Sequence, residues 1–356
     1  MIYKIFIASR FLTQPITGVQ RYALGLSMAI RQLDEKHRLS FISPRNIIHH
    51  DASIFLGVKQ IGYLQGHLWD QISVLRFLKS QGNPLVINFA NTLPLFYPNK
   101  LVTIHDIIYA KYPLNNIYSK YYRFAHLVML KHARHIITVS EFSKKEISAH
   151  FHIDENKISV VYNAVDGKFK PQLSLHHKKY ILGVSTIAYH KNYFRLLLAF
   201  SRLQHKYIQL KIVGGINHKI FGMGDLQIIR QVSDNHNVEY LGRVDDDKLI
   251  ELYSNACCFV YPSLYEGFGL PPLEAQACGC PVILSDIPVF REVYGDSAIY
   301  VDPYSPEDIA EKIQMLLDDE RLRDILIQNG FENAKKYTWE NSAKSFFKVL
   351  DKISLL

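Results

Sequence analysis

Long hydrophobic runs are missing from this chain of 356 residues. No stretch reaches the roughly 18 consecutive apolar residues that a membrane-spanning helix needs, so none is expected. The opening segment, MIYKIFIASRF, is too short in its apolar part and too quickly polar for a secretory signal, and it reads as a first strand. Cysteine is scarce as well. The four that occur, Cys257, Cys258, Cys278 and Cys280, crowd one region. The C-x-C pair has no second ligand cluster at metal spacing, and the adjacent pair lies in an apolar strand, so buried free thiols in a reducing cytoplasm are expected. Neither an internal repeat nor a low-complexity tract is evident.

What is present describes an ordinary globular protein, 48% hydrophobic and 21% charged, with length enough for two domains. The formal charge of +8 invites an acidic partner: nucleic acid, anionic lipid or a phosphorylated substrate. A merely solvated basic surface is the plain alternative. Charge concentrates around His126 to Lys145. Just before it, Tyr118 to Arg134 mixes aromatic, basic and apolar residues at near-helical spacing. Its apolar face is expected to pack inward, leaving its basic face to water or to an anionic membrane surface.

Strand-like and helix-like runs alternate. Tyr3 to Ala8, Leu39 to Ser43, Leu85 to Phe89, Leu101 to Ile104, His135 to Val139 and Ser159 to Tyr162 read as strands. Val19 to Leu33 and Ser119 to Arg134 read as helices. Another helix begins near Ser140, a plausible cap, with Ser143 and Glu146 at capping-box spacing. The polar, aperiodic stretch after Asn163 reads as a linker. The pattern then restarts: Tyr180 to Thr186, a helix from Tyr193 to about His205, and strands at Ile208 to Val213, Val238 to Leu241, Ala256 to Tyr261 and Val282 to Leu284. Helices follow at Pro306 to Asp318, Glu320 to Lys336 and Glu340 to Ile353. This is an α/β chain with two doubly wound parallel sheets facing a cleft. The expected divisions are a first domain at 1–165, a linker at 166–178, a second domain at 179–337, and a final helix at 338–356 crossing back to the first domain.

The most informative stretch runs from Tyr261 to Pro281. Glu266 and Glu274 stand eight positions apart, separated by Gly267-Phe268-Gly269 and a proline pair. Pro271 suits a helix's first turn and Gly279 its C-terminal stop, so the order is strand, glycine loop, helix, with Glu266 in the loop and Glu274 in the first turn. Exposed amides at a helix N-terminus attract phosphate oxygens, and carboxylates accept hydrogen bonds from sugar hydroxyls. A nucleotide-sugar carries both groups. Other candidates are weaker. Gly18, in Thr13 to Tyr22, allows backbone to approach a diphosphate, although a single glycine before a helix is more often an ordinary turn. Arg21 follows it in the helix's first turn, free to reach the cleft or solvent. His105-Asp106 ends a strand, where His105 is placed to donate to a phosphate or sugar hydroxyl. Lys191 lies after the first strand of the second half, suited as a point charge on a departing diphosphate, with His190 and Asn192 beside it. Gly214-Gly215 and the Gly242-Arg243-Val244 turn end further strands, the backbone at Val244 being a place for a base. Asp106, Glu266 and Glu274 would serve a hydrolase only with facing geometry, and the glycine loop favours phosphate binding.

Glu266-GFGLPPL-Glu274 resembles the E-x7-E motif of retaining GT-B glycosyltransferases, family 4. Thr17 to Tyr22, His105-Asp106, Thr138 to Ile147, Asn163 to Val165 and His190 to Asn192 occur in that family's order. The resemblance implies that Glu266 binds donor-sugar hydroxyls with Phe268, Gly269 and Leu270 nearby. It implies that Glu274 holds the ribose, Lys191 neutralises the diphosphate, Gly18 approaches it, and His105 contacts the transferred sugar. Many members carry an arginine where this chain has Thr186, and Ser185 replaces a usual glycine, so Lys191 acts alone or with His190 or Arg21. The implied reaction is metal-independent, without cofactor, and retains anomeric configuration. The Asp245 to Asp247 run looks like a helix cap, not a metal site. The Thr-Gly-Val-x-Arg-Tyr pattern resembles mannosyl- and rhamnosyltransferases of O-antigen or capsule assembly. The implied substrates are GDP-mannose as first donor and a lipid-linked glycan acceptor, with no nucleic acid partner and a cytoplasmic location, peripheral at the membrane. An inactive nucleotide-sugar-binding protein and a GT-B phosphorylase or epimerase are the alternatives. Acceptor contacts are expected from loops such as Gln60 to Gln71, which carry no readable code.

Overall fold

In a computed structural model the described residues are 4–37, 39–90, 92–112, 117–172, 180–205, 207–215 and 237–354. Residues 173–178 of the expected linker lie outside them. The chain divides into two compact units, Met1–Ala164 with Trp339–Leu356, and Val165–Thr338.

In the first unit the strands are β1 (Ile5–Ala8), β2 (Ser40–Ser43), β3 (Lys59–Gln60), β4 (Leu85–Asn88), β5 (Lys100–Thr103), β6 (His135–Thr138) and β7 (Ile158–Val160). They form one sheet in the order β3-β2-β1-β4-β5-β6-β7, and every pairing is parallel. All four residues of β1, β4, β5 and β6 are buried, because helices cover both faces of such a sheet. The helix Gly18–Leu33 buries Tyr22, Ala23, Leu26, Ser27 and Ile30, one stripe at helical spacing. Trp339–Ser354 packs along it. At Gly25 a Cβ would stand 2.2 Å from Trp339 Cε2, so the indole lies directly on the helix backbone.

The second unit holds β8 (Tyr180–Val184), β9 (Gln209–Val213), β10 (Val238–Gly242), β11 (Cys258–Tyr261), β12 (Val282–Ser285) and β13 (Ile299–Val301). The sheet order is β10-β9-β8-β11-β12-β13, again parallel throughout. Ile181, Leu196, Leu210, Ile212, Val260, Ile283, Ile309 and Ile313 form its core. Each sheet reverses its winding once, between β1 and β4 and between β8 and β11. Crevices at the carboxyl ends of such strand pairs are where doubly wound sheets bind ligands.

The structure departs from the sequence reading in several places. The strands β3 and β13 were not foreseen, being two and three residues long. The loop expected at Gln60 to Gln71 runs into a π-helical turn, Trp69–Val74, whose Trp69 and Asp70 are fully buried. Ser140 caps the helix Glu141–Phe151 as expected, its side chain accepting from the Ser143 amide at 3.0 Å. That places Ser143 inside the helix and leaves no capping box. The helix from Tyr193 ends at Phe200, and Pro288–Tyr294 adds an unforeseen one. Asp245 is a helix cap as expected, accepting from the Lys248 amide at 2.9 Å. All four cysteines are free, and Cys257 is only partly buried because it precedes β11 instead of lying within it.

Candidate active site

Lys191 and Glu266 meet because their loops leave β8 and β11, the two strands at the second sheet's reversal. The first loop closes through a 3-10 turn, Tyr189–Lys191, and Asn192 follows in a left-handed conformation (φ 61°). The Leu264 amide donates to His190 O at 2.7 Å, which stitches the two loops together. Lys191 Nζ then lies 2.5 Å from Glu266 Oε1 and 3.0 Å from the Tyr261 hydroxyl. Burial alone pushes the Glu266 carboxyl up. The Lys191 charge, with His190 and the Lys191 hydrogen bond, outweighs it and holds the group below its ordinary value. Burial pushes His190 down to about 4, and Lys191 adds to the shift, so its ring is neutral near pH 7.

Behind this pair the helix Leu270–Ala277 begins with Pro at its first turn, and Gly269 precedes it at φ 93°. Its first amides have no intrahelical acceptor and point the positive end of the helix dipole toward the loop. Glu274 is the fifth residue of this helix. It therefore sits in the second turn, not the first, because the helix starts at Leu270. It is buried, 4% exposed, with the Tyr253 hydroxyl 3.4 Å from its Oε2. Phe268 is also buried, its ring edge-on to Tyr337 at 5.5 Å. Gly267 and Leu270 are buried beside it.

Other candidates are occupied by the protein's own bonds. Asn192 Nδ2 donates to Pro262 O and Pro303 O at 2.9 and 2.6 Å, and its Oδ1 accepts from Arg195. Its side chain is a clamp between loops. At Gly214 (φ 151°) a Cβ would stand 1.8 Å from Ser185 O. Its amide donates to Gly242 O and its carbonyl accepts from Tyr240. Gly215 O accepts from the Ile187 amide. Val244 is part-buried just after β10.

In the first unit, His105 follows β5 and is 7% exposed. Its Nε2 faces Phe89 O at 2.9 Å, and its ring stands edge-on to Tyr22 at 4.9 Å. A carbonyl only accepts, so Nε2 carries the proton and Nδ1 is left as an acceptor. Burial lowers the pKa to about 4 against the Phe89 bond, which keeps the ring neutral. His105 is therefore arranged to accept from a hydroxyl, not to donate to one as the sequence reading had it. Asp106 Oδ1 accepts from the Ile108 amide, a local turn. Gly18 begins the helix Gly18–Leu33, exposed, with an ordinary φ and nothing within 4 Å of a Cβ. Neither backbone conformation nor packing inside this unit requires glycine there. Arg21 lies part-buried one turn on.

The sequence reading missed Tyr261, whose hydroxyl completes the Lys191–Glu266 contact. The signal was its place as the last residue of β11, five before Glu266. It also missed Arg10, Asp70 and Thr92, a buried cluster in the first unit. Among the described residues no group of three or more His, Cys, Asp or Glu could hold a metal ion, and no helix is long and apolar enough to cross a membrane.

The site thus lies in a chain of two doubly wound parallel-sheet units, and comparison with known proteins supplies the class of enzyme. The glycosyl transferases group 1 family matches residues 166–333, and glycosyltransferase family 4 matches residues 16–169. The chain belongs to these glycosyltransferases. It is 30% identical over 340 residues to the O-antigen chain mannosyltransferase RfbU of Salmonella typhimurium, covering 90% of this chain and 94% of that one. It is 29% identical to the O-antigen chain mannosyltransferase B of Escherichia coli, covering 95% and 97%. The fold is that of sucrose-phosphate synthase from Thermosynechococcus elongatus (TM-score 0.78, 19% identity, 99% of each chain). It is also that of Anabaena HepE, solved with UDP and glucose (TM-score 0.78, 15% identity, 98% and 100%). The fold class is GT-B, with two Rossmann-like parallel-sheet units.

Proposed function

We propose that this glycosyltransferase moves a hexose or deoxyhexose, mannose from GDP-mannose as first assignment, onto a lipid-linked oligosaccharide of O-antigen or capsule assembly. Retention of configuration, without metal or other cofactor, belongs to the same reading. The observation that carries it is the Lys191–Glu266 pair at the reversal of the second sheet, beside a helix N-terminus. Lys191 neutralises the leaving diphosphate, and charge developing there is what a preorganised cation stabilises. Glu266 accepts from donor-sugar hydroxyls once the diphosphate draws Lys191 away, and Glu274 holds the ribose through its helix. His105 accepts from a hydroxyl of the transferred sugar. Gly18 leaves room for phosphate oxygens. The mannosyl assignment follows the named activity of the two O-antigen relatives.

A cytoplasmic site of action belongs to the same proposal, and peripheral contact with a membrane is supported by the first unit's surface. On the helix Ile117–His132, Phe124 and Leu127 are 56% and 53% exposed alongside exposed Lys120, Arg123 and Lys131. Exposed apolar residues interleaved with basic ones fit an anionic lipid surface.

The test is a panel of nucleotide-sugars incubated with and without polyprenyl-diphosphate-linked glycans. Nucleoside diphosphate release that requires acceptor, with an α-linked product from an α-linked donor, is the expected result. Turnover with inorganic phosphate or with donor alone would replace the transferase by a phosphorylase or epimerase. Binding without turnover under every acceptor would leave only a binding protein.

A further inference from the structure

The second sheet's reversal holds Lys191 and Glu266. The first sheet has the same reversal between β1 and β4, and it too carries a buried ion pair. Arg10 leaves β1, and Thr92 lies in the loop after β4. Arg10 Nε sits 3.1 Å from both carboxylate oxygens of Asp70, and Arg10 Nη2 donates to the Thr92 hydroxyl at 2.9 Å. That hydroxyl donates in turn to Asp70 Oδ2 at 2.9 Å. Asp70 is fully buried and Arg10 is 7% exposed. His67 Nδ1 stands 3.6 Å from Asp70, its ring 4.8 Å from Tyr121 and 5.9 Å from Tyr122.

A pair that only fastened the π-helical turn Trp69–Val74 to the sheet would use all of its polar groups within the fold. This cluster does not. Arg10 Nη1 has no hydrogen-bond partner among the described residues. The Tyr121 hydroxyl is buried and unpartnered, and its ring joins the cluster through His67, which stands between it and Asp70. A buried polar group left unbonded costs roughly 1–3 kcal/mol, so a ligand that bonds the Tyr121 hydroxyl is favoured, while Arg10 Nη1 offers a spare donor. π-helical turns often mark functional sites. The charge narrows the ligand's chemistry. Asp70 neutralises Arg10, and a buried carboxylate repels phosphate, so the open N–H and O–H suit neutral hydroxyls. The nearby aromatic rings suit the apolar face of a sugar.

We infer that Arg10 and Tyr121, with Asp70 and Thr92 holding the guanidinium in place, form a carbohydrate subsite at the first sheet's reversal that takes the sugar of the acceptor. This rests on the transferase reading for the word acceptor, but not for the sugar binding itself. Asp70 is a positioning residue, since its oxygens are occupied by Arg10 and Thr92. Arg10 Nη1 and Tyr121 Oη make the contact.

The test titrates the full chain with methyl α-mannoside, methyl α-glucoside, methyl α-galactoside and inorganic diphosphate by ligand-observed NMR. At least one glycoside binds the wild type. Arg10→Lys weakens it about tenfold or more and Tyr121→Phe about fivefold, the losses expected for one charge-assisted and one neutral hydrogen bond. Diphosphate binding is the same in all three proteins. The loss on Tyr121→Phe is the same size in a Glu266→Ala background, which separates this subsite from a sugar held in the second unit. The inference is overturned if no glycoside binds the wild type, if Tyr121→Phe binds it as tightly, or if Tyr121→Phe has no effect in the Glu266→Ala background. It is equally overturned if diphosphate is what the variants lose. Should Arg10→Lys fail to fold, Tyr121→Phe still decides. Failure of the donor panel with glycoside binding intact would remove the transferase reading and leave the sugar subsite standing.

Discussion

Two glycines separate structural need from ligand need. Gly214 adopts φ 151° with Ser185 O where a Cβ would be, 1.8 Å away, so Gly214→Ala adds both strain and a backbone clash. The expected loss is about 2–4 kcal/mol in urea unfolding of the chain. Gly18 faces open space at an ordinary φ. Gly18→Ala should leave the unfolding midpoint unchanged within about 0.5 kcal/mol while weakening donor binding. A variant at position 18 with wild-type donor affinity would remove that residue from the site. Lys100 illustrates burial of another kind. It is fully buried, with Nζ donating to Pro94 O at 2.9 Å and to Leu95 O, and burial lowers its pKa to about 7. It secures the loop after β4 that also supplies Thr92.

At the scale of elements, strand ends carry the buried histidines, and these set an acid limit on stability. His105 after β5, His135 opening β6 and His190 after β8 are each lowered to about 4 from 6.5, burial being the largest cause in every case. Between those values the unfolded chain binds more protons than the folded one. Stability from these groups is therefore complete above about pH 6.5 and falls as pH drops toward 4. Urea midpoints measured from pH 7.5 down to 4.5 should decline through this window. Midpoints that stay level would mean these rings are solvated. The strands themselves were legible because parallel strands buried on both faces read as unbroken apolar runs. Their boundaries shifted by one or two residues. Short edge strands such as Lys59–Gln60, exposed and only two residues long, carry no such run.

Across the whole molecule, the GT-B class and the glycine loop were readable from motif spacing, and most of the site's hydrogen-bonding was not. Glu266 and Lys191 are 75 residues apart and meet only through strand order. Arg10, Asp70 and Thr92 come from three separate segments, and no local pattern joins them. The direction of the His105 hydrogen bond depended on Phe89 O, which sequence cannot place beside it. Asn192 and Gly214 looked like ligand residues and turn out to hold loops together. The central claim is that Lys191, poised on Glu266 and Tyr261, stabilises the departing diphosphate. Transfer by wild type and Lys191→Met should be timed side by side with the donor that the panel identifies, at saturating donor and acceptor. The variant, folded by circular dichroism, should show a kcat lower by about 10²–10³, the scale for removing one preorganised charge from a transition state. A folded Lys191→Met enzyme that turns over at the wild-type rate would contradict that claim.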